Sequence, residues 1–209
     1  MVAPRLIAIT DTTLLPFDAL LIRARTLCVL CQPKSVMIQL RDRELDIRER
    51  LEFGRRLANV TRECDQMLCV NDRLDLARLL EAQSLHLGES SVSARDVRRC
   101  EGDRFWLTRA SHEPARCEAE GADAVLLSPI LASRKGAPAL GPAAISAACA
   151  GSSVPIYALG GLSADSAASC IAAGAAGVAV IGAWLATDPA PLVRALKIDR
   201  TSTYSESTA

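Results

Sequence analysis

The chain has 209 residues, of which half are hydrophobic and 3% aromatic, and its 24 basic side chains balance its 24 acidic ones. This length suits one domain with one core, and the neutral balance argues against nucleic acid or an anionic membrane as the main partner. Because no apolar run is long enough to cross a membrane and no signal peptide follows Met1, we expect a cytoplasmic protein.

Short apolar runs alternate with longer amphipathic segments along the chain. In chain order, the predicted strands are Leu6–Ile9, Val36–Leu40, Met67–Val70, Ser84–Leu87, Phe105–Thr108, Ala124–Leu127, Pro155–Leu159 and Gly177–Ile181. The helices predicted to follow them are Phe17–Cys31, Ile47–Arg62, Leu74–Ala82, Ala94–Cys100, Pro114–Glu120, Ala143–Ala150, Ser163–Ala173 and Pro191–Leu196. Continuous apolar strands alternating with helices indicate a parallel sheet covered by helices.

Eight such units predict an α/β fold, a single (β/α)8 TIM barrel over residues 1–197. An open doubly wound sheet is the alternative, but it normally has fewer strands and a glycine-rich loop after the first one. Residues 10–13 read Thr-Asp-Thr-Thr at that place. The Ser/Thr-rich residues 198–209 are expected to form a disordered tail.

The sequence contains eight cysteines. Cys28 and Cys31 form a Cys-x-x-Cys pair inside a helix-like stretch, but no second pair follows at the spacing of a zinc ribbon. The other cysteines lie among Ala, Val and Leu. We therefore expect small buried side chains in a reducing compartment, with a redox or metal-binding role as the alternative.

Polar residues follow the predicted second and third strands, where a barrel of this type places its catalytic residues. Period-two alternation puts Gln39, Arg41 and Arg43 on one side, and a guanidinium suits a phosphate or carboxylate. The alternative is a solvated charge cluster. Asn71 is a candidate for binding a heterocycle and Asp72 for binding a metal or a cationic ring, whereas helix capping is the structural alternative for both.

The only two histidines lie at the ends of neighbouring strands. His86 ends the fourth strand, and a lone histidine there is more often structural. His112 follows the fifth strand at the mouth of the predicted barrel, where an imidazole can move protons near neutral pH. We therefore select His112 as the catalytic candidate, with capping of the next helix as the alternative.

Two glycine loops follow the seventh and eighth strands. Gly160 and Gly161 precede one helix, and Ile181 and Gly182 follow the last strand. Glycine lets backbone N–H groups approach an anion closely, and these two loops form the recurrent phosphate site of TIM barrels. The pattern predicts a site for a phosphorylated small molecule, with plain tight turns as the alternative.

Taken in order, these motifs resemble the thiamine phosphate synthase family, which also contains the thiazole tautomerases. The resemblance extends from the first strand to the last helix. It rests on residues 39–43 (Gln-Leu-Arg-Asp-Arg), 71–73 (Asn-Asp-Arg), 86–88 (His-Leu-Gly), 111–112 (Ser-His), 160–161 (Gly-Gly) and 181–182 (Ile-Gly). The resemblance implies a barrel enzyme of thiamine biosynthesis and leaves a homo-oligomer open.

In the synthase branch, the resemblance implies that a hydroxymethylpyrimidine diphosphate is joined to a thiazole phosphate with Mg²⁺ as cofactor. Arg41 and Arg43 would then bind the diphosphate, and Asn71 would contact the diphosphate or the pyrimidine. Asp72 would be a Mg²⁺ ligand. The backbone at residues 160–161 would bind the thiazole phosphate.

Three departures from the synthase pattern favour the tautomerase branch. Ser91 stands where the family has an acidic metal ligand, and a hydroxyl is a poor replacement for a carboxylate. Ala110 replaces a serine after the fifth strand. The loop over residues 129–141 is shorter and lacks two threonines, which leaves Ser133, Arg134 and Lys135 as its candidates for phosphate contacts.

The tautomerase reaction implied by the resemblance moves a proton to aromatise a thiazole carboxylate phosphate and needs no cofactor. His112 would be the acid/base, Arg41 or Arg43 would hold the carboxylate, and the two glycine loops would hold the phosphate. We take this activity as the main hypothesis and the synthase as its alternative. A non-catalytic module that binds a thiazole or thiamine phosphate is the third hypothesis.

Overall fold

The computed structural model describes residues 3–133 and 136–200. Its strands are β1 Leu6–Ile9, β2 Val36–Leu40, β3 Met67–Asn71, β4 Ser84–Leu87, β5 Trp106–Ser111, β6 Ala124–Leu127, β7 Ile156–Leu159 and β8 Gly177–Val180. They form one closed barrel in sequence order, and β8 pairs in parallel with β1. The predicted TIM barrel is confirmed.

The helices cover the outside of this barrel. They are α1 Phe17–Leu30, α2 Ile47–Glu63, α3 Leu74–Leu79, α4 Ala94–Glu101, α5 Ala143–Gly151, α6 Ala164–Ala172, α7 Gly182–Leu185 and α8 Ala190–Ala195. Side-chain caps explain where several of them begin, because Asp46, Ser93 and Ser163 each accept a hydrogen bond from a backbone N–H in the first turn. No described helix combines the length and apolar character needed to span a bilayer.

The helix predicted over Pro114–Glu120 is wrong. Only a short 3-10 helix, Pro114–Arg116, is formed between β5 and β6. Strand β5 continues to Ser111, three residues past its predicted end at Thr108, and Glu120 and Gly121 adopt positive φ angles of 44° and 94°. A positive φ is incompatible with a right-handed helix, so the predicted helix cannot continue to Glu120.

Side chains that point into the barrel change from apolar to polar along the strands. The apolar inner cluster includes Ile7, Met37, Cys69, Leu126 and Tyr157. One layer nearer the carboxyl ends, Gln39, Asn71, His86 and Thr108 are also buried. Period-two alternation places each polar residue of this layer on the inner face of its strand, two residues beyond the inward residue of the layer below. The barrel thus supplies a rigid polar floor beneath the mouth.

Contacts between the two ends of the described chain close the barrel. The buried Trp184 indole Nε1 donates to the backbone carbonyl of Ile9 at 2.9 Å. Beyond α8, Ile198 is buried and Asp199 bridges to Cys31. Ordered structure therefore reaches residue 200, inside the predicted tail, and residues 201–209 lie outside the described part of the chain.

The buried positions of most cysteines agree with the sequence interpretation. All eight are free thiols; six are buried, Cys149 is partly buried and Cys100 is exposed. Burial raises the pKa of the Cys31 thiol to about 12 and raises that of Cys28 as well. Thiols held in this neutral form are poor nucleophiles and poor metal ligands.

Candidate active site

Two cavities lie side by side at the carboxyl ends of the strands. The first, the glycine cavity, has a volume of about 490 Å³ and is lined mainly by residues 159–162 and 179–183 after β7 and β8. The second, the polar cavity, has a volume of about 530 Å³. Its polar lining residues are Gln39, Arg41, Arg43, Asn71, His86, Glu89, Ser90, His112 and Ser128. The cavities share Arg41, Ser128, Pro129, Leu159 and Ile181, so they meet along a common wall.

The glycine cavity contains the four glycine-loop residues predicted from the sequence: Gly160, Gly161, Ile181 and Gly182. Gly160 and Gly161 have φ angles of 106° and 72°, a region that other residues rarely adopt. The loop after β6 lies directly against them, since the Leu131 N–H donates to the Gly160 carbonyl at 2.8 Å. These glycines therefore serve both the shape of the cavity and close backbone packing.

A buried carboxylate holds the loop that carries the two arginines. Asp42 is 5% exposed, and it accepts hydrogen bonds from the Thr10 hydroxyl and the Thr12 N–H. Thr10 Oγ1 in turn accepts from the Arg41 N–H at 3.0 Å. These bonds tie the end of β2 to the end of β1, and Arg41 extends over the shared wall, where its Nη1 lies 3.7 Å from the Asp11 carboxylate.

Asp72 is the centre of a hydrogen-bonded cluster beside the polar cavity, and its partners Arg43, Asn71 and Gly88 line that cavity. Its Oδ1 accepts from the Gly88 N–H at 3.0 Å and from the Ser91 hydroxyl. Its Oδ2 accepts from Arg43 Nη2 at 2.8 Å and from Asn71 Nδ2 at 2.7 Å. The backbone of Asp72 is left-handed, with φ of 62°, a conformation that aspartate tolerates better than most residues.

The charge of Asp72 is stabilised by its neighbours. Partial burial acts to raise the pKa of this carboxyl, but the hydrogen bonds from Ser91 and Gly88 and the positive charge of Arg43 outweigh it and lower the pKa below its usual value. Asp72 is therefore a carboxylate at neutral pH. It balances the guanidinium of Arg43 at the mouth of the cavity.

His86 is held neutral in the wall of the polar cavity. Its Nδ1 lies 2.8 Å from the Thr108 hydroxyl, and burial lowers its pKa to about 4, against an opposing effect of Asp72. The sequence analysis favoured a structural role for this residue. Its position beside Asn71 in the register of β3 and β4 makes it part of the cavity wall as well.

His86 should make the protein acid-sensitive. As the pH falls from about 6.5 to about 4, the unfolded chain binds a proton that the folded imidazole excludes, so the free energy of unfolding decreases. His86→Gln removes this titration, so the decrease in the free energy of unfolding over this pH range should be smaller by about 1–3 kcal/mol. Urea unfolding at several pH values in EDTA measures the effect, with His112→Gln as the control. An H86Q profile as steep as that of the wild type would contradict the assignment.

His112 is oriented by the loop after β6. Its Nδ1 lies 2.6 Å from the Ser128 carbonyl, which can only accept, so this nitrogen carries the proton. Nε2 faces the Glu89 carboxylate at 3.7 Å. Both side chains are about half exposed. The arrangement gives the polar cavity a histidine with a defined tautomer near the shared wall.

The structure brings the predicted site residues together at one end of the barrel, with one exception. Lys135, like Arg134, lies outside the described residues. Sequence reasoning missed the shared-wall residue Ser128 and the anchoring carboxylate Asp42. Positions directly after β2, β4 and β6 were the available signal, because these strand ends converge on the mouth.

The closed barrel and the polar mouth define a (β/α)8-barrel enzyme. The family model described as thiamine monophosphate synthase matches residues 6–184. The chain belongs to this family, and it is an enzyme of thiamine biosynthesis. The family expected from the sequence is thereby confirmed.

Curated relatives and a solved structure agree with this membership. The chain is 38% identical to a thiamine-phosphate synthase of Moorella thermoacetica, over 78% of this chain and 81% of the relative. It is also 38% identical to a thiamine-phosphate synthase of Methanoculleus marisnigri, over 70% and 72% of the two chains. Thiamine phosphate pyrophosphorylase from Pyrococcus furiosus shares the fold, with a TM-score of 0.79 at 22% identity, covering 92% of this chain and 95% of that one.

These comparisons support the synthase alternative better than the tautomerase that the sequence analysis favoured. The tautomerase hypothesis rested on three local departures, at Ser91, Ala110 and the loop over residues 129–141. The similarity to proteins named thiamine-phosphate synthase extends over most of the chain. Local differences at these positions therefore do not identify the branch.

Proposed function

We propose that this protein is a thiamine phosphate synthase, which joins a hydroxymethylpyrimidine diphosphate to a thiazole phosphate and releases pyrophosphate. The observation that carries the proposal is the pair of adjoining cavities with Arg41 in their common wall. A condensation needs two substrates held with their reacting atoms close together, whereas an isomerisation of one thiazole needs a single compartment.

We assign the glycine cavity to the thiazole phosphate. Backbone around Gly160, Gly161 and Gly182 lines it, and glycine backbone allows the close approach that a phosphate needs. Arg41 supplies the positive charge at the inner edge of this cavity. The thiazole ring would then lie toward the apolar part of the shared wall, formed by Leu159 and Ile181.

We assign the polar cavity to the pyrimidine diphosphate. Arg43 lies at its mouth, where a guanidinium can bind diphosphate oxygens through two N–H groups. On its floor, Gln39 Oε1 is buried and has no hydrogen-bond partner among the described residues. An unpaired buried acceptor is unfavourable unless a ligand supplies a donor, and the amino group of the pyrimidine is such a donor.

Asp72, beside the polar cavity, and Glu89, in its lining, are the described carboxylates available to a magnesium ion on this side. Asp72 is ionised, but Ser91 is a hydroxyl, and no group of three His, Cys, Asp or Glu residues suited to a metal occurs within residues 3–133 and 136–200. Magnesium commonly binds one or two carboxylates together with substrate phosphate oxygens and water. Asp72 already accepts four hydrogen bonds, so it would bind the ion by exchanging one of them, such as that from Arg43, when the diphosphate completes the site. The ion would then neutralise charge on the departing pyrophosphate.

The proposed reaction breaks the bond between the pyrimidine methylene carbon and a diphosphate oxygen. The thiazole nitrogen lone pair forms the new carbon–nitrogen bond, and the bonding electrons leave with pyrophosphate. Arg41 and Arg43 stabilise the negative charge that develops on the leaving group. His112 Nε2 lies in the same cavity, where it can hydrogen-bond the diphosphate when protonated.

A paired assay tests the proposed function. Purified protein given thiazole phosphate and pyrimidine diphosphate should form thiamine phosphate and pyrophosphate in equal amounts with Mg²⁺, and EDTA should abolish both products. Exposed Arg25, which pairs with Glu63 on the outer helices, provides a matched control. Arg25→Met should keep full activity after the same purification.

One result would overturn the synthase assignment. If thiazole phosphate binds tightly but no thiamine phosphate forms, the condensation is not the activity of this chain. Incubation with thiazole carboxylate phosphate would then test the tautomerase directly, with His112→Gln as the inactive comparison. Binding of both thiazoles without turnover would point to the non-catalytic module.

A further inference from the structure

We propose that the negative charge of Asp72 acts through Asn71 to set the orientation of the Gln39 amide, so that the site selects a pyrimidine carrying an amino group over one carrying a carbonyl. Asp72 would thus be a positioning residue for ring recognition, in addition to any contact it makes with the diphosphate side. The proposal rests on the proposed synthase function, because it assumes that the ring occupies the polar cavity.

The direction of the hydrogen bonds starts at Asp72. Its Oδ1 faces the backbone N–H of Gly88 and its Oδ2 faces the guanidinium of Arg43, and both of these groups can only donate. Both oxygens of Asp72 are therefore acceptors. The Asn71 atom that lies 2.7 Å from Oδ2 must then be the amide nitrogen, because an oxygen in that position would face another acceptor.

The same donor–acceptor order continues from Asn71 to Gln39 on the floor of the cavity. With its nitrogen on Asp72, Asn71 turns its Oδ1 toward Gln39, which donates through Nε2 at 3.1 Å. The remaining atom, Gln39 Oε1, is left as a buried acceptor without a partner, on a side chain that is 1% exposed. Through these two hydrogen bonds, the Asp72 carboxylate determines that Gln39 presents its Oε1, and not its Nε2 H₂ group, to the floor of the cavity.

The preference for an amino-substituted ring should depend on Asp72. In the wild type, the ring with an amino donor should bind at least about tenfold more tightly than its carbonyl analogue, because the latter leaves an acceptor opposite an acceptor. Asp72→Asn allows both amides to turn, since the new amide can donate as well as accept. The preference should then fall to within about threefold.

The probes are 4-amino-5-hydroxymethyl-2-methylpyrimidine and its 4-oxo analogue. Neither carries a diphosphate, and binding is measured in EDTA, so contributions of Arg43 and of a metal ion are absent from the ratio of dissociation constants. Asn71→Leu breaks the chain of bonds at its middle and keeps Asp72, so it should lose the preference too. Ser91→Ala is the matched control, because it removes a bond to the other oxygen, Oδ1, and should keep the wild-type ratio.

The outcomes separate the inference from the proposed function. If D72N keeps the wild-type ratio of dissociation constants for the two rings, the role of Asp72 is overturned while the synthase proposal stays in place. N71L gives the same test if D72N does not fold. Loss of the ratio in S91A would also overturn it, since any disturbance of Asp72 would then have the same effect. A wild type that binds neither ring would overturn the assignment of the polar cavity, and the inference with it.

Discussion

Replacing Arg41 with methionine is expected to lower kcat/KM for thiamine phosphate formation by roughly 100- to 1,000-fold. Arg41 is the described cationic side chain that lines both cavities, so under the proposed function its charge would face the thiazole phosphate on one side and the pyrimidine diphosphate on the other. Methionine keeps much of the side-chain volume and removes only the charged, multiply donating end. KM should therefore rise for both substrates, and kcat should fall.

Steady-state kinetics with each substrate varied in turn measure this effect. Arg43 lines the polar cavity but not the glycine cavity, so Arg43→Met should raise KM for the pyrimidine diphosphate and leave KM for the thiazole phosphate near the wild-type value. A reduction of less than about fivefold in R41M would show that the shared wall does not stabilise the transition state.

Replacing Gly161 with alanine should destabilise the protein by about 2–4 kcal/mol and weaken thiazole phosphate binding. A Cβ atom at this position would lie 2.5 Å from the Ala132 Cβ and 2.7 Å from the Ala132 backbone nitrogen, and the φ of 72° adds backbone strain. The loop after β6 would have to move away from the glycine cavity, which changes the shape of the cavity.

Chemical unfolding and phosphate-ligand binding together check this expectation. Gly141 is the matched control, because its φ is 77° but no atom lies within 4 Å of an added Cβ. Gly141→Ala should therefore show the cost of backbone strain without that of the clash. Equal losses in the two variants would mean that contact with Ala132 is unimportant.

The sequence predicts the barrel well because alternation of buried strands and helices is a local pattern. The same logic places Arg41, Asn71 and Gly160 at one mouth, since the carboxyl ends of parallel strands converge. It fails over Pro114–Glu120, where the late end of β5 and the positive φ angles before β6 depend on contacts with neighbouring strands. No local pattern reports those contacts.

The finer features of the site depend on contacts between distant residues. The sequence shows that Asp72 follows a strand, but its bonds to Gly88 and Ser91 come from the next strand–loop unit. The unpaired oxygen of Gln39 follows from that arrangement and cannot be read from composition or spacing. Likewise, Ser91 indicated a lost metal ligand when considered alone, whereas the structure shows its hydroxyl donating to the Asp72 carboxylate.

The closure of the barrel has a consequence for how the chain folds. Strand β1 pairs with β8, and the Trp184 indole reaches Ile9 across 175 positions of sequence. During synthesis, β1 therefore keeps one unpaired edge until nearly all of the barrel has left the ribosome, and exposed strand edges favour association between nascent chains. The last ring-closing contacts are also the most distant in sequence, which makes them the slowest to search for. Truncation before β8 would leave an open sheet with two unpaired strand edges, which favour aggregation, and not a smaller enzyme.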